Sequence, residues 1–265
     1  MSVRAKKSLG QHFLNDIEIA KKIAATIDGQ ELPPTARQWS ELPVLEIGPG
    51  MGVLSQFLIQ KGRDVKAVEL DSESVEFLKK VFPDLNVIEG DFLKLDLNDI
   101  FSSEFVLIGN YPYNISSQIF FKVLEYKEKI PVVAGMLQKE VAKRICSAPG
   151  SKVYGILSVL LHAWYDCEYL FDVQPGVFTP PPKVTSGVIR ITRNNRENLE
   201  CDEKLFKTIV KASFGQRRKT LRNSLSGLIP SGSEILQKSI MGRRPETLSV
   251  DEFIALTNEI GKTNK

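Results

Sequence analysis

Along the first two-thirds of the chain, short runs of aliphatic residues alternate with longer stretches in which apolar side chains recur every three or four positions. Five runs stand out: Val44–Ile47, Val65–Leu70, Asn86–Ile88, Phe105–Ile108 and Val132–Met136, bounded by Gly, Pro, Asp or Asn. Compact apolar runs of this length predict strands buried on both faces. Between them, Ile17, Ala20, Ile23, Ala24 and Ile27 form one helical stripe behind Asn15-Asp16-Ile17-Glu18, which has capping-box spacing. Val75, Leu78 and Phe82 form a second stripe over residues 72–82. Strand–helix–strand repetition of this kind predicts a parallel, doubly wound α/β sheet.

After Tyr169 the texture changes. Phe171–Val173 and Val188–Ile191 predict two more strands, joined by Phe178-Thr179-Pro180-Pro181-Pro182-Lys183. Three consecutive prolines fit neither a helix interior nor a central strand, so this segment is expected to be an extended loop. From about Asn194 the pattern turns helical, over Asp202–Leu225, Ser233–Ile240 and Val250–Ile260. Ser249 and Glu252 make a second capping box before the last of these. The expected organisation is an α/β domain over residues 1–193 followed by a small helical domain over 194–265.

Charge sharpens that division. Residues 1–184 hold 20 Lys and Arg against 23 Asp and Glu, whereas residues 185–265 hold 15 against 9. An acidic-leaning body with a basic appendage points to a polyanionic partner. The chain has 265 residues, 42% of them hydrophobic and 25% charged, which argues against a disordered or fibrous protein. No apolar stretch reaches the roughly 18 residues of a membrane span, and no secretory leader is evident at the N-terminus. Cys146, Cys167 and Cys201 are odd in number and lack metal-ligand spacing, so neither a disulfide framework nor a metal site is expected. A cytoplasmic protein without membrane contact is the expectation.

The candidate chemistry begins where the first predicted strand runs into Gly48-Pro49-Gly50-Met51-Gly52. Glycines between a strand and a helix let backbone approach a ligand closely. A dinucleotide fingerprint would place its third glycine at Val53, so the spacing departs from that pattern and favours a nucleoside without a pyrophosphate, S-adenosylmethionine above all. Glu69 ends the second strand, where a carboxylate can accept both ribose hydroxyl hydrogens. Asp91, beside Phe92, ends the third and can accept from an adenine amine. Asn110 ends the fourth and opens Asn110-Tyr111-Pro112-Tyr113. An aryl amine is a poor nucleophile because its lone pair is delocalised. An Asn oxygen and a backbone carbonyl can hold its two hydrogens in line with a methyl sulfonium, while Tyr113 offers a stacking face. Orientation and electrostatics then carry the rate.

Taken with Ser8-Leu9-Gly10-Gln11-His12-Phe13-Leu14, Gln138–Arg144, Phe178–Val184 and Phe214–Arg222, these motifs make the chain resemble the ribosomal RNA adenine dimethyltransferases, in their bacterial small-subunit (16S) branch. The resemblance covers nearly the whole chain. It implies a class I S-adenosylmethionine-dependent methyltransferase fold, a Rossmann-like seven-stranded sheet with its last strand antiparallel, plus a small helical C-terminal domain. It implies transfer of four methyl groups to the N6 amines of two adjacent adenosines near the 3′ end of 16S rRNA, within the small ribosomal subunit or its precursor. Residues 1–193 would then bind cofactor and catalyse, and 194–265 would contact RNA. Gln11, His12 and Leu14 would meet the cofactor from the N-terminal motif, Gly48, Gly50 and Gly52 from the loop. Glu69, Leu70, Asp91, Phe92 and Asn110 would meet it from the strand ends. Tyr111, Pro112 and Tyr113 would complete the acceptor site with Asn110, and Phe178 would supply a second aromatic wall around a flipped adenine. Arg217, Arg218, Lys219 and Arg222 would contact RNA. Two positions depart from the family pattern: His12 stands where Asn is frequent, and Tyr111 where Leu is commoner. The competing readings are a large-subunit rRNA methyltransferase of the resistance type and a non-catalytic assembly or transcription factor on the same fold.

Overall fold

Every residue of the first sheet strand, β2 (Val44–Ile47), is buried, as a strand covered on both faces requires. It is preceded by the two-residue strand β1 (Phe13–Leu14) and helix α1 (Ile17–Ala25). The computed structural model describes residues 3–28 and 39–263. After β2 the chain alternates: α2 (Ser55–Gln60), β3 (Val65–Glu69), α3 (Ser72–Val81), β4 (Asn86–Glu89), β5 (Val106–Asn110), α4 (Ser116–Glu125), β6 (Val132–Gln138) and α5 (Lys139–Ile145). There follow α6 (Ile156–His162), β7 (Tyr165–Val173), β8 (Phe178–Thr179) and β9 (Ser186–Arg193). Seven strands form one sheet in the order β4-β3-β2-β5-β6-β9-β7. Strands β2 to β6 run parallel, and β9 pairs antiparallel with β6, Gln138 opposite Ser186 and Val132 opposite Thr192. This is the class I methyltransferase architecture that the motifs imply.

The departures from expectation have local causes. Asp16, not Asn15, caps α1, its Oδ1 accepting from Ile19 N at 3.0 Å. Ile17 is 55% exposed, so the buried stripe begins at Ala20. Strand β5 runs on through Gly109 and Asn110, where the apolar run has stopped; a Cβ on Gly109 would stand 2.6 Å from Ile47 O, so no side chain fits. Strand β7 starts six residues earlier than its apolar run because it is an edge strand, and exposed Asp166 and Glu168 interrupt the pattern.

The chain divides into two units, one of residues up to 142 with 167–193, the other of 143–166 with 194–265. The boundary expected at 193/194 is therefore one of several crossings, and the helical unit takes in a stretch assigned by sequence to the α/β domain. Helix α6 is buried along Leu157–Leu161 and packs on α7 (Glu203–Gly215) and α9 (Val250–Thr263). A helix between two strands looks like any crossover helix in sequence, so pattern alone assigns it to the sheet. Asp202 caps α7 through Leu205 N at 2.8 Å, and Ser249 with Glu252 forms the expected capping box on α9. Tyr154, Phe214 and Phe253 pack ring to ring beneath them. The helix expected over 202–225 breaks after Gly215, since residues 215–220 carry no large apolar side chain, and resumes as α8 (Leu221–Ser224). In place of the helix expected over 233–240 the chain forms two short 3-10 turns, Glu234–Gln237 and Ser239–Gly242.

Candidate active site

The parallel strands β2, β3 and β5 end at one edge of the sheet, and the turns leaving them surround a single cavity. That edge is where open α/β sheets bind ligands. At its floor, Gly48 and Gly50 adopt φ of +64° and +57°, and a Cβ on Gly50 would meet the Phe13 ring at 2.9 Å. Gly50 N donates to Glu69 Oε2 at 3.0 Å, and the amides of Leu70 and Asp71 donate to its Oε1 at 2.9 Å each. Three of about four carboxylate lone-pair sites are thereby taken by backbone, which fixes the group and leaves one for a ligand hydroxyl. Burial raises the Glu69 pKa, and the three amides work against that shift.

On the next turn Asp91 Oδ1 accepts from Leu93 N at 3.0 Å, and Phe92 is buried at the cavity wall. Leu70 also lines the cavity but remains half exposed. Across the opening lies the N-terminal segment. Lys6 pairs with Asp71, the Lys6 amide donates to Gln11 Oε1 at 2.7 Å, and Gln11 Nε2 donates to Asp71 Oδ2 at 3.3 Å. Both ends of the Gln11 amide are thus engaged in holding this segment. Strand β1 pairs with β8, Leu14 opposite Phe178, and His12 Nδ1 lies 2.8 Å from Pro180 O.

The acceptor turn follows β5. Asn110 Nδ2 donates to His12 O at 3.1 Å, so Oδ1 is the amide atom left to accept a hydrogen. Tyr111 turns its ring into the core: it is 1% exposed, its hydroxyl donates to Ala134 O at 2.7 Å, and Phe120 meets it edge-on. Pro112 O receives Ile115 N and Tyr113 O receives the Ser116 hydroxyl, as the turn leads into α4. The Tyr113 hydroxyl bonds Ser186 on β9, and the His12 ring lies 5.3 Å from the Tyr113 ring at 30°.

Thirteen of the residues singled out in sequence therefore line one cavity. Two do not. Gly52 points its missing side chain at α3, where a Cβ would stand 2.4 Å from the Phe82 ring, so its role is packing. Phe178 is 3% exposed and belongs to the apolar cluster around Leu14, so it does not wall the cavity in this structure. The basic segment lies in the helical unit. Arg217 donates to the carbonyls of Ser151 and Lys152 and Arg222 to Leu236 O, while Arg218, Lys219 and Arg222 are exposed.

Sequence reasoning passed over Glu46. It is 1% exposed, lines the cavity, and its Oε2 has no hydrogen-bond partner. Burial, with a smaller contribution from Glu69, pushes its pKa up to about 8. Inside an apolar strand it reads as a misplaced acid, and only the cavity gives it meaning. Lys6, Asp71 and Ser186 were missed for a related reason: each contacts a cavity-lining residue, Gln11, Glu69 or Tyr113, without lining the cavity itself.

The arrangement can hold a nucleoside by its ribose and base and present an amine-binding turn beside it. The chain is similar to known proteins over nearly its whole length. The profile of the family described as "Ribosomal RNA adenine dimethylase" matches residues 2–262. A protein of Parabacteroides distasonis named "Ribosomal RNA small subunit methyltransferase A" is 59% identical over 96% of this chain and 93% of its own. One of the same name from Porphyromonas gingivalis is 58% identical over 97% and 98%. Among solved structures, a dimethyladenosine transferase from Plasmodium falciparum superposes with a TM-score of 0.78 at 24% identity, over 96% of this chain and 98% of that one, a likeness of fold. The 23S rRNA methyltransferase ErmE superposes with a TM-score of 0.68 at 25% identity, over 94% and 99%. A profile spanning almost every residue, and relatives identical at more than half of their positions, settle the lineage: the chain belongs to the ribosomal RNA adenine dimethylase family.

Proposed function

We propose that the protein transfers methyl groups from S-adenosylmethionine to the N6 amines of two adjacent adenosines near the 3′ end of 16S rRNA, in the small ribosomal subunit or its precursor, giving N6,N6-dimethyladenosine. The observation that carries this reading is the convergence of Glu69, Asp91 and Asn110 on one cavity where β3, β4 and β5 end along one edge of the sheet. The small-subunit substrate is favoured over a large-subunit one because the relatives above 50% identity carry small-subunit names, whereas ErmE stands at 25%. The substrate places the reaction in the cytoplasm.

The residues present fit S-adenosylmethionine. Its amino-acid end carries an ammonium, and the orphaned Glu46 Oε2 in the cavity is an acceptor that lacks one. Glu69 would hold the ribose, Asp91 and Phe92 the adenine, and Gly48, Gly50, His12 and Leu14 the rest. When bound, this cofactor supplies an electrophilic methyl group on a sulfonium. The protein's own contribution is orientation. Asn110 Oδ1 and the Tyr111 carbonyl, which the start of α4 does not use, accept the two hydrogens of the target amine. That directs the nitrogen lone pair at the methyl and favours the pyramidal transition state. Tyr113, held by Ser186 and faced by His12, supplies the stacking surface. The base must leave its stack to reach the turn, which favours exposed loop adenosines. With the Tyr111 ring buried behind the turn, the space beside the amine is not closed by it, so a second methyl can follow the first.

The test is tritiated-methyl transfer to purified small subunits lacking the modification. Wild-type protein should label them, and Asn110→Ala should lose roughly 100-fold or more in rate while binding the subunit as before. Undiminished transfer by Asn110→Ala would refute the site.

A further inference from the structure

Lys122 is a buried lysine that the reaction as described does not use. It sits in the last turn of α4 and is 7% exposed. Its ammonium donates to Leu93 O at 3.1 Å and to Leu95 O. It also stands 5.2 Å from the centre of the Phe92 ring and 5.8 Å from that of Tyr126. Lysine is seldom buried without compensation, because desolvating an ammonium is costly. Here two carbonyls and two aromatic faces supply it. Burial lowers the Lys122 pKa, and the carboxylates of Glu125, Asp96 and Asp91 act against that.

What this cation holds is specific. Both carbonyls belong to the irregular segment that follows β4, and that segment carries Asp91 and Phe92. Asp91 is fixed at its own end by Leu93 N, and the Leu93 carbonyl is the one Lys122 grips. Phe92 lines the cavity and is held from the Lys122 side by a cation–ring contact. No strand pairing reaches residues 91–95; their backbone is held by one turn bond, Lys94 N donating to Asp91 O at 2.9 Å, and by side-chain contacts of this kind.

We propose that Lys122 is a positioning residue for the methyl donor: it holds the Asp91–Leu95 segment in the conformation that receives the adenine. The inference rests on the assignment of Asp91 and Phe92 to the cofactor and goes beyond it in naming the group that preorganises them. Loss of the ammonium lets the segment relax, and its ordering is then charged to cofactor binding. Chemistry at a saturated site is left as it was, because Lys122 touches neither the acceptor turn nor the cavity.

The experiment compares Lys122→Met, which keeps the stem and removes the donors, with Lys122→Arg, which retains donors and charge. Lys122→Met should raise both KM and Kd for S-adenosylmethionine by roughly 10- to 100-fold, with kcat and the KM for subunits within about twofold of wild type. Lys122→Arg should recover most of that loss. Unchanged donor affinity in Lys122→Met, or a fall in kcat without a rise in KM, overturns the proposal. Should Lys122→Met fail to fold, Lys122→Gln, with an uncharged donor, is measured in its place against the same criteria. Asp91→Ala serves as the control: if it leaves donor affinity intact the site assignment fails, whereas a loss there with none at Lys122 defeats the positioning role alone.

Discussion

Replacing Glu46 with Gln removes one ionisable group from the centre of the sheet and changes almost nothing else. Glu46 is the third residue of β2, fully enclosed, with burial as the main cause that raises its pKa from 4.5 to about 8 and the charge of Glu69 as a lesser one. A displacement of that size makes the ionised form costlier in the folded protein by about 5 kcal/mol. The sign follows from proton counting. Below pH 4.5 both folded and unfolded chains hold the proton, and the group contributes nothing. Between 4.5 and about 8 the unfolded chain is ionised while the folded one keeps its proton, so stability falls as pH rises. Above about 8 both are ionised and the whole penalty is present. Glu46→Gln lacks this slope. Its amide adds a roughly constant cost of about 1–2 kcal/mol for buried N–H groups, which shifts its curve without tilting it.

Urea unfolding of the ligand-free protein from pH 5 to 9 measures the difference. Trp39 is buried in the same unit and reports on it once Trp164 is replaced by Phe. The stability of Glu46→Gln relative to its parent should rise by several kcal/mol across that range, to a limit of about 5. A difference that stays flat with pH refutes the reasoning, because it would mean that Glu46 ionises in the folded protein as it does in water. If the carboxylate meets an ammonium, donor binding at pH 7 releases close to one proton, and calorimetry in buffers of different ionisation enthalpy reads it.

Gly52→Ala should destabilise the protein by about 2–4 kcal/mol, from a left-handed backbone that L side chains resist and a Cβ driven against Phe82; a loss below about 0.5 kcal/mol in urea unfolding would contradict the packing role. Neutralising Arg218, Lys219 and Arg222 together should lower the salt dependence of RNA binding by a log–log slope of roughly 2–3 and spare donor affinity, and an unchanged slope would remove their phosphate contacts. Arg217→Gln should instead act on stability, since its guanidinium ties together 151–152 and the basic turn.

Much of the fold was legible because burial leaves a mark on residue choice. Strands covered on both faces need apolar runs, so β2, β3 and β6 announced themselves, and Ser249 with Glu252 marked a helix start that the structure contains. The edge strand β7 and the glycine end of β5 were harder, because solvent on one face or a tight backbone approach removes that mark. Residues 143–166 could not be sorted at all by pattern. An amphipathic helix records that it is covered, and not by which partner.

The site divides along the same line. Glu69, Asp91 and Asn110 can be picked out by their place at or just after strand ends, and all three line the cavity. Residues that tie others in place are invisible until distances are known: Lys6 pairs with Asp71, Ser186 with the Tyr113 hydroxyl, and Lys122 with the Leu93 carbonyl after β4. Tyr111 makes the point in one residue. Its sequence position says only that a large ring stands in the acceptor turn, where a ring turned one way would block a second methyl transfer. The answer lies in two glycines on neighbouring strands. Cβ atoms on Gly109 and Gly135 would meet the Tyr111 ring at 3.2 and 2.8 Å, so their absence makes the slot that accepts it, and Ala134 O supplies the hydroxyl's partner at the bottom. The Tyr111 ring lies in the core because space was cleared for it behind the turn.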